Sequence, residues 1–143
     1  MPGWRCGRCG RRFARTRQAH SCRVRSVVDH FRGRDPRLKA LFDTLVRRLA
    51  KTGPIRVDAV ESSIHLASLY HFAGIAVRRG YLRAGFAADR RVDDRRIERI
   101  ERIGPRRWVH RLAIRSMADL DDELVGWFAM AQALANRARP AAP

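Results

Sequence analysis

Cys6, Cys9, His20 and Cys22 are the residues whose types and spacing suit a definite chemistry. Cys6 and Cys9 form a C-x2-C pair, whose tight turn through Gly7 and Arg8 lets two thiolates reach one ion, and His20 and Cys22 add a second pair spaced H-x-C. Three thiolates and an imidazole make a closed tetrahedral site for one Zn2+. Such a site is structural, because no coordination position is left for an activated water. Gly7 and Gly10 suit a knuckle in which backbone N–H groups turn toward the sulfurs. The chain has 3 Cys in all, an odd number that argues against a disulfide framework. With no continuous apolar leader at the N-terminus, the expected compartment is the cytoplasm.

Trp4 stands two residues before the first Cys and Phe13 four after the second, so the stretch 4–13 resembles the first half of a C2H2-type finger. The second half departs from that pattern. Ten residues separate Cys9 from His20, where the usual finger has about twelve, and the last ligand is a Cys one residue on instead of a His on the next helical turn. A normally docked recognition helix is therefore not expected. The ion would order a segment too short to bury a core, and would present Arg5, Arg8, Arg11, Arg12, Arg15 and Arg17 to a phosphate backbone.

The charge distribution favours the same kind of partner. The 143 residues carry 31 Lys+Arg against 14 Asp+Glu, a formal charge of +17, and residues 1–34 alone hold ten Arg and one Asp. All but Lys39 and Lys51 of the basic residues are Arg, which pairs bidentately with phosphate and stacks on bases in a way Lys does not. DNA or RNA is the expected partner, a membrane is not, and a protein partner and the oligomeric state are left open. A chain of this size is one domain plus an appendage, and no apolar run reaches the 18 or so residues needed to span a bilayer.

These side chains have to be positioned by elements that the periodicity predicts. Ser26 and Asp29 read as a capping box opening a helical turn that stops at Gly33. Asp35-Pro36 then form an N-cap and first-turn pair, and Leu38, Leu41, Phe42, Leu45, Val46 and Leu49 recur at helical spacing up to Gly53-Pro54. From 54 to 115 the pattern changes to short apolar runs at 55–60, 63–70, 72–79, 81–88, 97–103 and 107–115, with a charged loop at 90–96. The run 97–103 is read as a strand only from its position between turns, since Ile97, Ile100 and Ile103 have a period of three. A last helix is expected to open at Ser116 with Asp119 completing a capping box. It carries Leu120, Leu124, Trp127, Phe128, Ala131 and Leu134 on one face, and the carboxylates of its first turns suit the helix dipole.

The expected fold class is α+β: an antiparallel sheet of about five strands packed against two helices, preceded by a small zinc-finger-like segment. Residues 1–25 form the finger, 26–34 a connector, 35–137 the α+β domain and 138–143 a disordered tail.

The whole chain resembles a bacterial family known only as a domain of unknown function, number 5655, in a form with an N-terminal CCHC finger. The resemblance lies in the opening Trp4 to Phe13 and Gln18-Ala19-His20-x-Cys22, in Val27-x-Asp29-His30-Phe31, Gly53-Pro54-Ile55, Ser63-Ile64-His65-Leu66 and Phe72-Ala73-Gly74. It continues through Gly104-Pro105-Arg106-Arg107-Trp108-Val109-His110-Arg111 and closes with Leu120-Asp121-Asp122-Glu123-Leu124. It implies two helices on one face of an antiparallel sheet, similar to small iron-chaperone-like domains, and brings no catalytic residues. In related chains the body is attached to DNA-processing or DNA-modification modules, which is associational support for a nucleic-acid partner.

No nucleophile elbow, phosphate-binding glycine loop or H-E-x-x-H is present, so the sequence points away from catalysis. Two readings of function follow. In the first, a zinc-stabilised nucleic-acid-binding protein holds phosphates through the finger arginines, and Arg78, Arg79, Arg83 and Arg111 on the sheet extend the footprint. In the second, a small-molecule or protein-interaction domain uses a sheet-face ligand pocket near His65, Tyr70 and His110, and the finger is purely structural.

Overall fold

The structure is a computed structural model describing residues 3–7, 12–19 and 26–137, with only the backbone of Arg12 and Phe13. The N-terminal part contains an antiparallel hairpin in which β1 (Trp4–Arg5) pairs with β2 (Arg12–Phe13), Trp4 opposite Phe13 and Arg5 opposite Arg12. It is followed by α1 (Val27–Phe31), α2 (Pro36–Ala50), β3 (Arg56–Ala59), β4 (Ile64–Ala67), β5 (His71–Arg78), β6 (Tyr81–Ala88), β7 (Ile97–Gly104), β8 (Arg107–Ile114), a 3-10 turn (Met117–Asp119) and α3 (Asp122–Ala135). Among the described residues no helix is long and apolar enough to cross a membrane.

The starts of α1 and α2 are those the sequence signals. Asp29 N–H donates to Ser26 Oγ and Ser26 N–H to Asp29 Oδ2, closing the capping box of α1. Asp35 caps α2 through a 2.9 Å bond from Arg37 N–H, with Pro36 in the first turn. Gly33 has φ +73°, the left-handed conformation that a side chain resists, and turns the chain between the two helices. The segment read as a connector is part of the core: Phe31 is buried with its ring 5.5 Å from that of Phe42, and His30 Nε2 donates to Val60 O at 2.6 Å.

The main sheet has six strands, not about five, all antiparallel, in the order β3-β4-β5-β6-β8-β7. β8 inserts between β6 and β7, so the 89–96 loop carries the chain out to the edge before it returns. The edge position and the register shifts at Ile97/Arg99 and Arg102/Gly104 account for the period of three in β7: two irregularities in eight residues break the alternation, and one side of the strand has no neighbour.

α2 and α3 pack on one face of the sheet, α3 against β5 and β6 and α2 against α3 and β6. The core lies there, with Leu38, Leu41, Leu45 and Leu49 meeting Ile64, Leu66, Ile75, Leu82, Leu112 and Ile114. Ser116 and Asp119 do form a capping box, but it opens only a 3-10 turn; Leu120 leaves helical geometry at ψ 54°, and α3 begins after Asp121, whose side chain accepts from Leu124 N–H at 2.8 Å.

The acidic start of α3 is structural. Arg96 from the 89–96 loop pairs with Asp94, Asp121 and Glu123 and lies over the Trp127 ring at 4.7 Å. Arg48 of α2 donates to Leu120 O and to Asp122.

His110 holds the same loop from inside. It is fully buried, stacked on Phe86 at 4.6 Å and 5°, and its Nε2 accepts from Val92 N–H at 2.9 Å, which assigns the ring proton to Nδ1. Burial pushes the His110 pKa below 6.5, the nearby Phe86 and Trp108 backbone offsetting part of the effect. Because the folded state favours the neutral ring, this stabilisation is present above about pH 6.5 and is lost as pH falls through the lower folded-state pKa. Denaturation midpoints measured at pH 7.5 and 5 should fall on acidification, and His110→Phe should remove part of that fall, His65 with its lowered pKa supplying the rest; an unchanged slope in the variant would refute the assignment.

Candidate functional site

The helix-free face of the sheet carries a groove of about 530 Å3. Strand alternation makes it: while Ile75, Leu82, Ala84 and Leu112 turn into the core, Gly74, Ala76, Gly85 and Ala87 line the groove. One cross-strand row runs Asp58, His65, Gly74, Gly85, Arg111, Arg99 from β3 to β7. Gly74 and Gly85, partners on the two central strands, leave a low floor between the histidine side and the arginine side.

On one side His65 and His71 stack at 4.9 Å and 14°. Each is tethered: His65 Nε2 lies 3.1 Å from Ser63 Oγ, and His71 Nε2 lies 3.0 Å from Asp58 Oδ2. Burial lowers the pKa of His65, and the adjacent His71 lowers it further against the opposing pull of Asp58. Burial of Asp58 opposes its ionisation, but hydrogen bonds from His71 and Arg56 outweigh it and hold the carboxyl below its usual range.

Toward the other side stand Arg83 on β6 and Arg107 and Arg111 on β8, and Arg78 lines the far end of β5. None of the four side chains makes an ion pair or hydrogen bond among the described residues, and no Asp or Glu is among the residues lining the groove. They differ in this from Arg48 and Arg96, whose charges are spent on tying elements together. Four cations among the lining residues, with no Asp or Glu beside them in that lining, make the local potential positive.

The sequence signature described as "Domain of unknown function (DUF5655)" matches residues 27–135. The chain belongs to this family. No curated protein and no solved structure matches it. The DUF5655 body thus starts at α1 and contains the sheet, the groove and both long helices.

The predicted site residues divide. His65 and His110 sit on opposite faces, His65 in the groove and His110 fully buried in the core, so they do not share a pocket; Tyr70, 39% exposed, lies in the β4–β5 turn. Of the sheet arginines, Arg78, Arg83 and Arg111 line the groove, whereas Arg79 in the β5–β6 turn does not. Arg107 was missed, although it alternates with Val109 and Arg111 on one strand. His71 meets His65 because β4 and β5 form a hairpin around the 68–70 turn, a pairing that follows from the chain reversal.

In the N-terminal segment, Arg5, Arg15 and Arg17 are exposed and Cys6 is buried at 6% exposure. Cys9, His20, Cys22, Arg8 and Arg11 lie outside the described residues, as do the side chain of Arg12 and the tail 138–143. Among the described residues no three His, Cys, Asp or Glu side chains group as a metal site.

Proposed function

We propose that this protein binds nucleic-acid phosphates without catalysing a reaction, using the arginine side of the sheet groove as one contact and the Arg-rich N-terminal finger as another. The observation that carries the reading is the set of four arginines, Arg78, Arg83, Arg107 and Arg111, that line one groove with no acidic partner among the described residues. Guanidinium groups without an acidic partner are available to meet phosphate oxygens bidentately. The finger is folded around one structural Zn2+ held by Cys6, Cys9, His20 and Cys22. In support, the C-x2-C segment is flanked by the paired strands β1 and β2, and the thiol of Cys6 is buried, as a ligand enclosed by a knuckle is.

The test is a salt series with a labelled single strand and a labelled duplex, using wild type, Arg83→Ala/Arg111→Ala and Cys6→Ser/Cys9→Ser. Wild-type affinity should fall steeply with salt, and the slope of log K on log [salt] should drop by about one for each arginine removed. The cysteine variant should lose bound zinc by metal analysis and part of the slope while the body stays folded by circular dichroism. Absence of binding to either strand form at low salt would eliminate the nucleic-acid reading and leave the groove as a site for small anions.

A further inference from the structure

Resting on that reading, the groove has a form that a phosphate backbone alone does not need. Its two sides differ in chemistry: guanidinium groups on one, and on the other the stacked His65–His71 pair with Ser63. Between them the lining of Gly74, Ala76, Gly85 and Ala87 offers no hydrogen-bonding side chain. A duplex presents phosphates to such a surface while its bases stay stacked and paired, so the histidine side and the floor would go unused. A volume of about 530 Å3 lies within the range of sites that enclose a ligand the size of a nucleotide.

Gly74 makes the same point energetically. Glycine inside a strand weakens it, and such a position commonly marks the close approach of a ligand or another backbone. A Cβ at Gly74 would meet only His65 Nδ1, at 3.9 Å, an ordinary contact, so neither the fold nor the core requires glycine there. At Gly85 the Cβ would lie 3.3 Å from His110 O, a tighter fit. The bare floor at Gly74 leaves room for a ligand that enters the groove.

We infer that the groove seats an unpaired nucleotide of a single strand, with its phosphates on Arg83 and Arg111 and its flat base over the Gly74–Gly85 floor against the His65–His71 pair. Single-stranded nucleic acid is accordingly the ligand, and the sheet is where it is distinguished from duplex. A base has two faces and polar edges, which suit an apolar floor beside imidazole and hydroxyl groups.

The experiment compares a labelled oligothymidylate, the same strand in a duplex, and unlabelled AMP and inorganic phosphate as competitors at fixed ionic strength. Proteins are wild type, Gly74→Val, Gly74→Ala and Arg83→Ala/Arg111→Ala, each checked by chemical denaturation. Wild type should prefer the single strand, and AMP should compete better than phosphate. Gly74→Val, which fills the floor, should be at least as stable as wild type and lose about tenfold or more in single-strand affinity, with duplex affinity unchanged. Gly74→Ala, which keeps the strand with the smallest added volume, should lose less in the same direction. Equal single-strand binding by wild type and both Gly74 variants, with binding still lost in the arginine variant, overturns the nucleotide seat and leaves the phosphate reading standing. Binding untouched by the arginine variant overturns both.

Discussion

Phe86→Ala should lower the free energy of unfolding by about 3–5 kcal/mol, out of the roughly 5–15 kcal/mol that holds an ordinary domain together. Phe86 is 1% exposed on the central strand β6 and joins three other rings: it stacks on His110, lies 5.9 Å from Trp127 and meets Phe128 in a tilted contact at 5.2 Å. Truncation to Ala removes apolar contact area and leaves a void that β6, hydrogen-bonded on both sides, cannot collapse to fill. It also removes the face on which His110 rests, loosening the ring that holds Val92 and with it the 89–96 loop. Urea denaturation with an unchanged m-value should show a midpoint shift of that size. Arg83→Ala, three residues earlier on the other face, should shift stability by no more than about 0.5 kcal/mol. Comparable effects at the two positions would contradict the assignment of one face to the core and the other to ligand.

Gln132→Leu should cost about 1–3 kcal/mol although it replaces a polar side chain by an apolar one of similar size. Gln132 in α3 is 1% exposed; its Nε2 donates to Leu49 O at 2.9 Å and Pro54 O at 3.0 Å, and its Oε1 accepts from Thr52 Oγ1 at 2.5 Å. One amide thus satisfies the end of α2 and the turn that leads into β3, while Ser68 Oγ donates to Gln132 O from the β4–β5 turn. Leu would leave Pro54 O without its partner in a closed space, at a cost of about 1–3 kcal/mol, while Thr52 Oγ1 turns to Leu49 O, 3.0 Å away, and Leu49 O keeps the Thr52 N–H. Thermal unfolding of Gln132→Leu beside Gln132→Ala separates the effects: Ala admits water to the carbonyls and should do no worse than Leu. If Leu were the more stable of the two by a clear margin, packing volume rather than the hydrogen bonds would be what Gln132 supplies.

Gln132 and Arg96 illustrate why sequence reading reached one kind of residue and not another. Leu120, Leu124, Phe128 and Ala131 announce themselves by spacing, because burying a helix face demands apolar residues every three or four positions. A buried glutamine has no period: its partners at Leu49, Thr52 and Pro54 are about eighty residues away and meet it only when α3 lies over the end of α2. Arg96 looks like any arginine of a charged loop until β8 inserts between β6 and β7 and brings that loop onto the start of α3. The arginines of the groove are equally indistinct in the sequence from those that tie helices together, since both kinds are simply basic.

Local, short-range physics was therefore legible from the residues alone. The capping boxes, the Asp35-Pro36 start, the turn at Gly33, the two long helices and the strand runs all follow from groups within a few residues of one another. Tertiary structure alone decided the strand order, the split of His65 and His110 between two faces, the stacking of His65 on His71, and which arginines are neutralised and which stand open around a groove. The reason is that periodicity encodes which side of an element is apolar, while the neighbour that an exposed charge or a buried polar group meets depends on how distant elements pack, and no short-range spacing carries that information.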